Sequence, residues 1–565
     1  MTVFSTRDFD HATARRLAAE GIPAALARAL TARGIASVAE TQLLLDGLAP
    51  PSALSHVQDA ATLLADAIDA DSRLLIVADY DCDGATACAI GVRGLRAMGA
   101  RVDYLVPNRF EYGYGLTPEI VDLAGHGSNG PPNLLITVDN GIASVEGVAR
   151  ANELGISVLV TDHHLPGAVL PAAACIVNPN QAGCGFPSKH LAGVGVMFYV
   201  LLALRAELRT RGRFDVATQP RLDHLLDLVA LGTVADVVKL DRNNRILITQ
   251  GLRRIRQGQL RPGIAALFQI AGKDARLASA RDLGFAIGPR INAAGRLTDM
   301  TIGIECLITD SFERAIELAR QLDQLNRDRR DIESDMQLDA LAVLDDADVA
   351  SRNTICLYNA DWHQGVIGLV ASRIKEKYHR PTIAFARASD GELRGSGRSI
   401  EGVHLRDTLD LVTKRAPLLV HRFGGHAMAA GLTMPTSSYD AFVSAFEDAT
   451  RTSCDRTLFE RTITTDGALA ANEVVLSLIE AIDSHVWGQG FPAPLFDNEF
   501  VVVEQRLVKD RHLKLVLDLD GRLLHGVWFS RTGQVPRTVR LAYRPVVDDY
   551  MGERRLQLVI EHAAL

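Results

Sequence analysis

Four apolar-rich extended runs constrain the first half of the chain: RLLIVA at 73–78, RVDYLV at 101–106, LLITV at 134–138 and SVLVT at 157–161. They recur about every 25 to 35 residues with helix-length stretches between them, and most lack the apolar/polar alternation of a half-solvated strand. Strands that are apolar on both faces need a covering layer on both, so the pattern predicts a parallel sheet between helices. In such sheets ligands gather at the carboxyl ends of the strands.

Acids and histidines stand at those ends. DYDCDG (79–84) follows the first run, Asp139 follows the third, and Asp162, His163 and His164 follow the fourth. Asp236 closes a further apolar stretch, LLDLVALGTVAD, read as another extended run. Hard carboxylates and imidazoles converging from neighbouring strand tips are the donors that a pair of divalent ions needs to cut a phosphodiester bond. In DYDCDG a strand-to-helix turn lets at least two of Asp79, Asp81 and Asp83 face one ion. The same residues also suit an N-cap with solvated turn acids; a calcium loop would need a glutamate near its twelfth position, where this sequence becomes an apolar helix. Two adjacent histidines point in different directions, so one can ligate while the other donates to a phosphate oxygen, with Asp162 fixing a ring tautomer. A lone buried Asp236 would be costly unless paired or metal-bound.

At 565 residues the chain exceeds a single core and divides into roughly three to four domains. The boundaries read as a helical segment at 1–45, the α/β sheet region at 46–310, a connector helix at 311–349, a smaller α/β domain at 350–455 and a β-rich tail at 456–565. Residues 311–345 contain no Gly or Pro and keep helical apolar spacing, long enough to link two lobes with a cleft between them. The tail holds five strand-like runs, which suggests an OB-like barrel. Seven cysteines without a CxxC pair fit a reducing, cytoplasmic setting. The first 21 residues lack an apolar stretch that could serve as a signal peptide, and no run of about 18 apolar residues suggests a membrane span. The net charge of −8 does not exclude a nucleic-acid partner, because the acid-rich site contributes much of it.

In order and spacing, the segments at 79–84, 139–141, 162–164 and 236 resemble the four signature motifs of the DHH phosphoesterase superfamily, and FGGHAMAAG (423–431) resembles the glycine-rich signature of its DHHA1 domain. With GPRINAAGR (288–296), the connector and the OB-like tail, the chain beyond about residue 45 is similar to the superfamily's single-stranded-DNA exonucleases. The resemblance implies a parallel-sheet DHH domain joined by a long helix to an α/β DHHA1 domain and a barrel. It also implies two Mn²⁺ or Mg²⁺ ions, 5′ to 3′ release of mononucleotides from single-stranded DNA, and a role in recombination and repair. On the same basis Asp79, Asp81, Asp83, His163 and Asp236 are metal ligands, Asp139 bridges the ions and shares in catalysis, Asp162 supports catalysis, and His164 meets the scissile phosphate. A helicase and a single-strand-binding protein are the expected partners of a monomer.

Substrate contacts are expected from Gly424, Gly425 and His426, from Ser396 and Arg398 in GELRGSGRS, and from Arg290 and Arg296 in GPRINAAGR, because arginine forks match phosphate geometry. DRNNRILITQGLRRIRQGQLRP (241–262) holds six arginines against one aspartate, a stripe that could follow a DNA backbone or be a solvated helical face. Trp528, Phe529 and Tyr543 are candidate stacking platforms or barrel core. Two other functions share these features: a phosphodiesterase for short oligoribonucleotides or cyclic dinucleotides, and an inert binding module that has lost its ligands. The long tail favours DNA over the former, and the complete donor set argues against the latter.

Overall fold

The structure, a computed structural model, describes residues 3–127, 130–388, 391–548 and 554–564. The chain forms two compact units: Asp10–Asn326 with Glu480–Ala493, and Met1–Phe9 with Arg327–Ile479 and Pro494–Leu565.

In the first unit, five parallel strands lie in the order Arg101–Leu105, Arg73–Ala78, Leu134–Val138, Ser157–Thr161, Cys175–Val177. Alternate residues feed two cores. Leu75, Val77, Leu135, Val158 and Val160 pack with Ile120, Val121, Val148 and Ala151 of the helices Pro118–Gly125 and Val145–Glu153. The opposite face is covered by the helices Cys82–Ala97 and Gly193–Thr210; an added Cβ on Gly91 would lie 2.9 Å from Ile76 Cδ1. Chain order reverses between the strands Arg73–Ala78 and Leu134–Val138, so their connections leave on opposite faces and open a crevice at their carboxyl ends.

The second unit holds a five-stranded sheet in the order Arg422–Gly425, Ala429–Pro435, Glu392–Arg398, Thr382–Arg387, Ile355–Tyr358, in which only the last pair is parallel. Leu405, Leu409, Phe442 and Phe446 of two helices cover one face, while helix Ile367–Tyr378 packs on the other. The tail closes a barrel in which Phe496–Val508, His512–Leu519, Arg522–Trp528, Arg555–Ala564 and Thr538–Asp548 follow one another around the ring, the OB-like topology. The five strand-like runs read from the tail correspond to these five strands.

Helix Phe312–Ala342 has 31 residues, about 47 Å at 1.5 Å per residue. The division between the units falls inside it, after Asn326. Each half is tied to its own unit by ion pairs on a buried acid: Asp323 meets Arg290 in the first unit, and Glu333 meets Arg373 of helix Ile367–Tyr378 in the second, along with Arg329 one turn back.

Two expectations change. The N-terminal segment is not purely helical: Val3–Thr6 is a strand paired in parallel with Thr462–Thr465, ahead of helices His11–Ala19 and Ala24–Thr31. Its β-branched residues Val3 and Thr6 were the signal, and too short a run to register as one. The stretch before Asp236 is helix Leu226–Ala235 and not a strand, because a uniformly apolar run of this length suits a buried helix equally well.

Candidate metal centre

Three aspartates stand in one row across the sheet. Ala78, Val138 and Thr161 are in register, and the next amides continue the ladder: Asp79 N–H donates to Val138 O (3.3 Å), Asp139 to Thr161 O (3.0 Å) and Asp162 to Val177 O (3.1 Å). Asp139 turns at once into the left-handed region, φ +62°, and the Asn140 side chain ties the turn to the Val77 and Val138 carbonyls.

The DYDCDG loop presents its three acids differently. Asp81 caps helix Cys82–Ala97, its Oδ1 accepting from the amides of Asp83 (2.9 Å) and Gly84 (3.0 Å). Asp83 is fully buried and accepts from Gly193 N–H (2.6 Å) and Val194 N–H (2.9 Å), where the positive end of helix Gly193–Thr210 favours an anion. Gly193 is obligatory here, since a Cβ would lie 2.6 Å from Asp139 Cβ and Oδ1. The GPRINAAGR segment buttresses the loop: Asn292 Oδ1 accepts from Cys82 N–H (2.8 Å), and a Cβ on Gly295 would be 1.9 Å from Tyr80 O.

His163 Nε2 lies 3.1 Å from Asp139 Oδ1, 3.5 Å from Asp236 Oδ2 and 3.9 Å from Asp83 Oδ2. Asp236 comes from the C-cap of helix Leu226–Ala235. Asp139 Oδ1, His163 Nε2 and Asp236 Oδ2 are buried without a hydrogen-bond partner, although they face one another. Donor atoms fall into groups within 4.8 Å of each other: Asp83, His163 and Asp236; Asp79, Asp81 and Asp139; and Asp139 with His163 and His164. Asp139 thus shares one group with Asp79 and Asp81 and another with His163 and His164, and its Oδ1 lies 3.1 Å from His163 of the third, so the donors could hold two cations, one by a set that includes nitrogen and one by oxygen alone. Convergent, desolvated, partnerless donors are what a bound divalent ion would satisfy, so the residues fit such ions.

Electrostatics point the same way. Burial, then Asp236, pushes Asp83 up to about 8; burial, then Asp81, pushes Asp236 to about 7; burial, then Asp83 and Asp81, carries Asp139 well above the carboxylate range. Two unit charges 4 Å apart repel by about 4 kcal/mol at an effective dielectric of about 20, so without cations the cluster must retain protons. His163 is lowered by burial, which outweighs the pull of Asp83, and neutral imidazole is the ligating form.

Asp162 has another role. Its carboxylate accepts from Ile142 N–H (2.9 Å), His163 N–H (2.7 Å), His164 N–H (3.1 Å) and His164 Nδ1 (2.8 Å), which together outweigh burial and lower its pKa. Three of these four donors belong to His163 and His164 and meet Oδ1, so the carboxylate holds the two histidines in place. In turn, the hydrogen bond to Asp162 overcomes burial and raises His164 to about 9. Three neighbours escaped the sequence reading. Asn178 and Asn180 hold the His164 and His163 carbonyls at 2.9 and 2.6 Å, and the Tyr114 hydroxyl lies 3.3 Å from His164 Nε2. Asn178 follows the fifth strand, Cys175–Val177, whose three residues are too few for a periodic signal.

The remaining candidates divide. Arg290 is buried, its Nε and Nη2 on Asp323 at 2.9 and 2.8 Å; this engagement leaves it anchoring the long helix and not presented to a phosphate. Arg296 lies half-buried in the last turn of helix Gly288–Leu297. In the second unit, exposed Gly424 pairs with Gly431, which pairs with Ser396, making a row almost free of side chains. Arg398 flanks it, donating to Ser396 Oγ (3.2 Å) and Gly397 O (2.8 Å). Gly425 adopts φ +139°, and exposed His426 opens the hairpin turn, its amide on Ala429 O. The six-arginine stretch is no free stripe: Arg245 is buried over the Phe491 ring, Arg254 pairs with Asp223, and Arg256 and Arg261 donate to the carbonyls of Ala278 and His224. Tyr543 is barrel core, its hydroxyl on Asn498, while Phe529 is exposed.

The DHH family N-terminal domain matches residues 73–233, the DHHA1 domain 351–452 and the RecJ OB domain 465–562. The single-stranded-DNA-specific exonuclease RecJ of Escherichia coli (strain K12) is 48% identical over 556 residues, 96% of each chain. That of Haemophilus influenzae is 46% identical over 542 residues, 94% of each. RecJ from Thermus thermophilus in complex with Mn²⁺ matches 100% of this chain and 79% of its own with a TM-score of 0.83 at 29% identity. Its complex with Mg²⁺ matches 100% of this chain and 78% of its own, with a TM-score of 0.76 at 27% identity.

Proposed function

The chain belongs to the family of RecJ single-stranded-DNA-specific exonucleases, and from that premise we propose that it removes mononucleotides from the 5′ end of single-stranded DNA at a two-ion centre between Asp79 and Asp236. The observation that carries this reading is the convergence of Asp139 Oδ1, His163 Nε2 and Asp236 Oδ2, buried and partnerless, with Asp139 facing both donor groups. Asp83, His163 and Asp236 would hold one Mn²⁺ or Mg²⁺ and Asp79 and Asp81 the other, with Asp139 shared between the two sets. Bound ions supply the Lewis acidity that activates water and offsets charge on the leaving oxygen.

The chain's own groups do the rest. Gly193 and Val194 amides fix Asp83, and Asp162 fixes His164 so that its charged ring donates to a phosphate oxygen. The Tyr114 phenol, pushed well above its ordinary range by loss of solvent and by Asp79, Asp162 and Asp139, stays a donor beside it. Ser396, Arg398, Gly424, Gly425 and His426 engage the strand's phosphates, and Arg296 contributes from the catalytic unit. The 46–310, 350–455 and 456–565 segments act as catalytic, strand-engaging and nucleic-acid-binding domains linked by 311–349, behind the 1–45 segment. No helix among the described residues is long and apolar enough to cross a membrane. The enzyme works as a cytoplasmic monomer in recombination and repair, on strands exposed by a helicase and held by a single-strand-binding protein.

Digestion of a long 5′-phosphorylated single strand, its duplex and a set of two- to five-nucleotide fragments with Mn²⁺ tests the reading. Mononucleotides should appear from the 5′ end of the long single strand and scarcely from the duplex. Consumption of the short fragments alone would mean a small-substrate phosphodiesterase.

A further inference from the structure

Residues Glu480–Ala493 lie, in sequence, just before the barrel strand Phe496–Val508, yet they belong to the unit that holds the metal centre. Aromatic stacking holds this segment together. The Trp487 ring lies 5.1 Å from Phe491 at 14° and 5.6 Å from His485 at 28°. Two arginines fasten it from outside: Arg33 donates to Pro492 O (2.6 Å) and lies 5.6 Å over Trp487, and buried Arg245 lies 4.1 Å over Phe491. Such a contact is strongest where the cation is desolvated, as at Arg245.

The segment grips the residues that follow Asp236. Leu240 N–H donates to Gln489 O at 2.7 Å. A Cβ on Gly490 would lie 2.3 Å from Lys239 Cγ, and one on Gly488 would lie 2.7 Å from Leu240 Cδ1. From the other side, the Asn244 side chain donates to Lys239 O (3.0 Å) and to His190 O (2.6 Å), just before Gly193. Between this grip and Asp236 stands Val237, exposed, in the left-handed region at φ +64°. A β-branched residue is strained there and persists only where its surroundings fix it. Asp236 also needs holding. It is an acid at a helix C-terminus, where the dipole disfavours it, and it faces Asp83 and Asp81.

We propose that Glu480–Ala493 is a positioning strap for Asp236: by pinning Lys239 and Leu240 it fixes the Val237 turn and aims the carboxylate at His163 and Asp83. This rests on the metal reading above and adds to it a selective dependence. The donor group of Asp83, His163 and Asp236 needs the strap, whereas Asp79, Asp81 and Asp139 are carried by the ends of two sheet strands and not by the pinned loop.

Calorimetric titration of the full-length, metal-stripped protein with Mn²⁺ tests it, with circular dichroism to verify the fold. Phe491→Ala should weaken one of two binding events at least tenfold and leave the other within twofold. Phe491→Tyr should restore it. Gly488→Ala, which keeps the aromatic stack but pushes Leu240, should weaken the same event, and cleavage by both weakened variants should recover at high Mn²⁺. Unchanged binding in Phe491→Ala and Gly488→Ala, or equal loss at both events, overturns the strap alone. Failure of the unsubstituted protein to take up Mn²⁺ overturns the metal reading and the strap with it.

Discussion

Asp139 combines two unfavourable states, a left-handed backbone and a carboxylate buried among Asp83, Asp81, Asp236 and Asp79. Both are tolerable in a site organised around cations and costly without them. Asp139→Asn should therefore lower cleavage at least ~1000-fold while raising the melting temperature of the metal-stripped protein, because it keeps the shape and removes a carboxyl that must hold, in the fold, a proton the unfolded chain releases. A variant with near-native turnover, or one less stable than the parent in chelator, would contradict this. Proton linkage gives a second expectation. Asp83 near 8 and Asp236 near 7 keep protons that an unfolded chain releases near 3.8, so the metal-stripped fold loses stability as pH rises from about 4 through 8. Ions displace those protons, so stabilisation by Mn²⁺ should grow from pH 6 to pH 8; melting curves with Mn²⁺ and with chelator at each pH check it, and a constant difference would count against it. At this scale the acids and histidines were legible because their residue types sit abruptly beside apolar runs. Asn178, Asn180 and Tyr114 were not, since nothing in a lone asparagine or tyrosine announces the carbonyl or imidazole it meets after folding.

Each donor's direction comes from the element that carries it. Three strands in register put Asp79, Asp139 and Asp162 in a row, and a helix N-terminus fixes Asp83 through two amides. Gly193→Ala should disturb both at once, since its methyl would enter the space of the Asp139 carboxylate. A fall in cleavage of at least ~100-fold, with the melting temperature in chelator lowered, is expected; near-native activity would mean that Asp139 is free to move aside. The sheet was readable because doubly buried strands have a distinctive continuous pattern. The element behind Asp236 was misread as a strand for the same reason, since LLDLVALGTVA is apolar all round whichever way it coils. The arginine-rich helix Arg242–Arg256 misled in the opposite sense. Either reading of it, a stripe along a DNA backbone or a solvated face, needs exposed charges, yet Arg245 is buried against Phe491, almost 250 positions away, a pairing that local patterns do not encode.

On the proposed reading the metal centre belongs to the first unit and most strand contacts to the second, so catalysis and strand engagement should separate in kinetics. Arg398→Ala should raise KM for a long single strand about tenfold with Mn²⁺ affinity unchanged; loss of metal affinity would contradict that separation. The order of segments was legible from composition alone: a Gly- and Pro-free connector, a glycine-rich hairpin and alternating runs in the tail. The return of Glu480–Ala493 to the catalytic unit was not, because it depends on tertiary contacts and has no periodicity of its own. The proposed function stands on two divalent ions held with Asp139 between them. Anomalous diffraction at the manganese edge from crystals grown with Mn²⁺ tests it most directly. Two peaks are predicted, one among Asp83, His163 and Asp236 and the other among Asp79 and Asp81, with Asp139 touching both; a single peak, or peaks away from these side chains, would contradict the account.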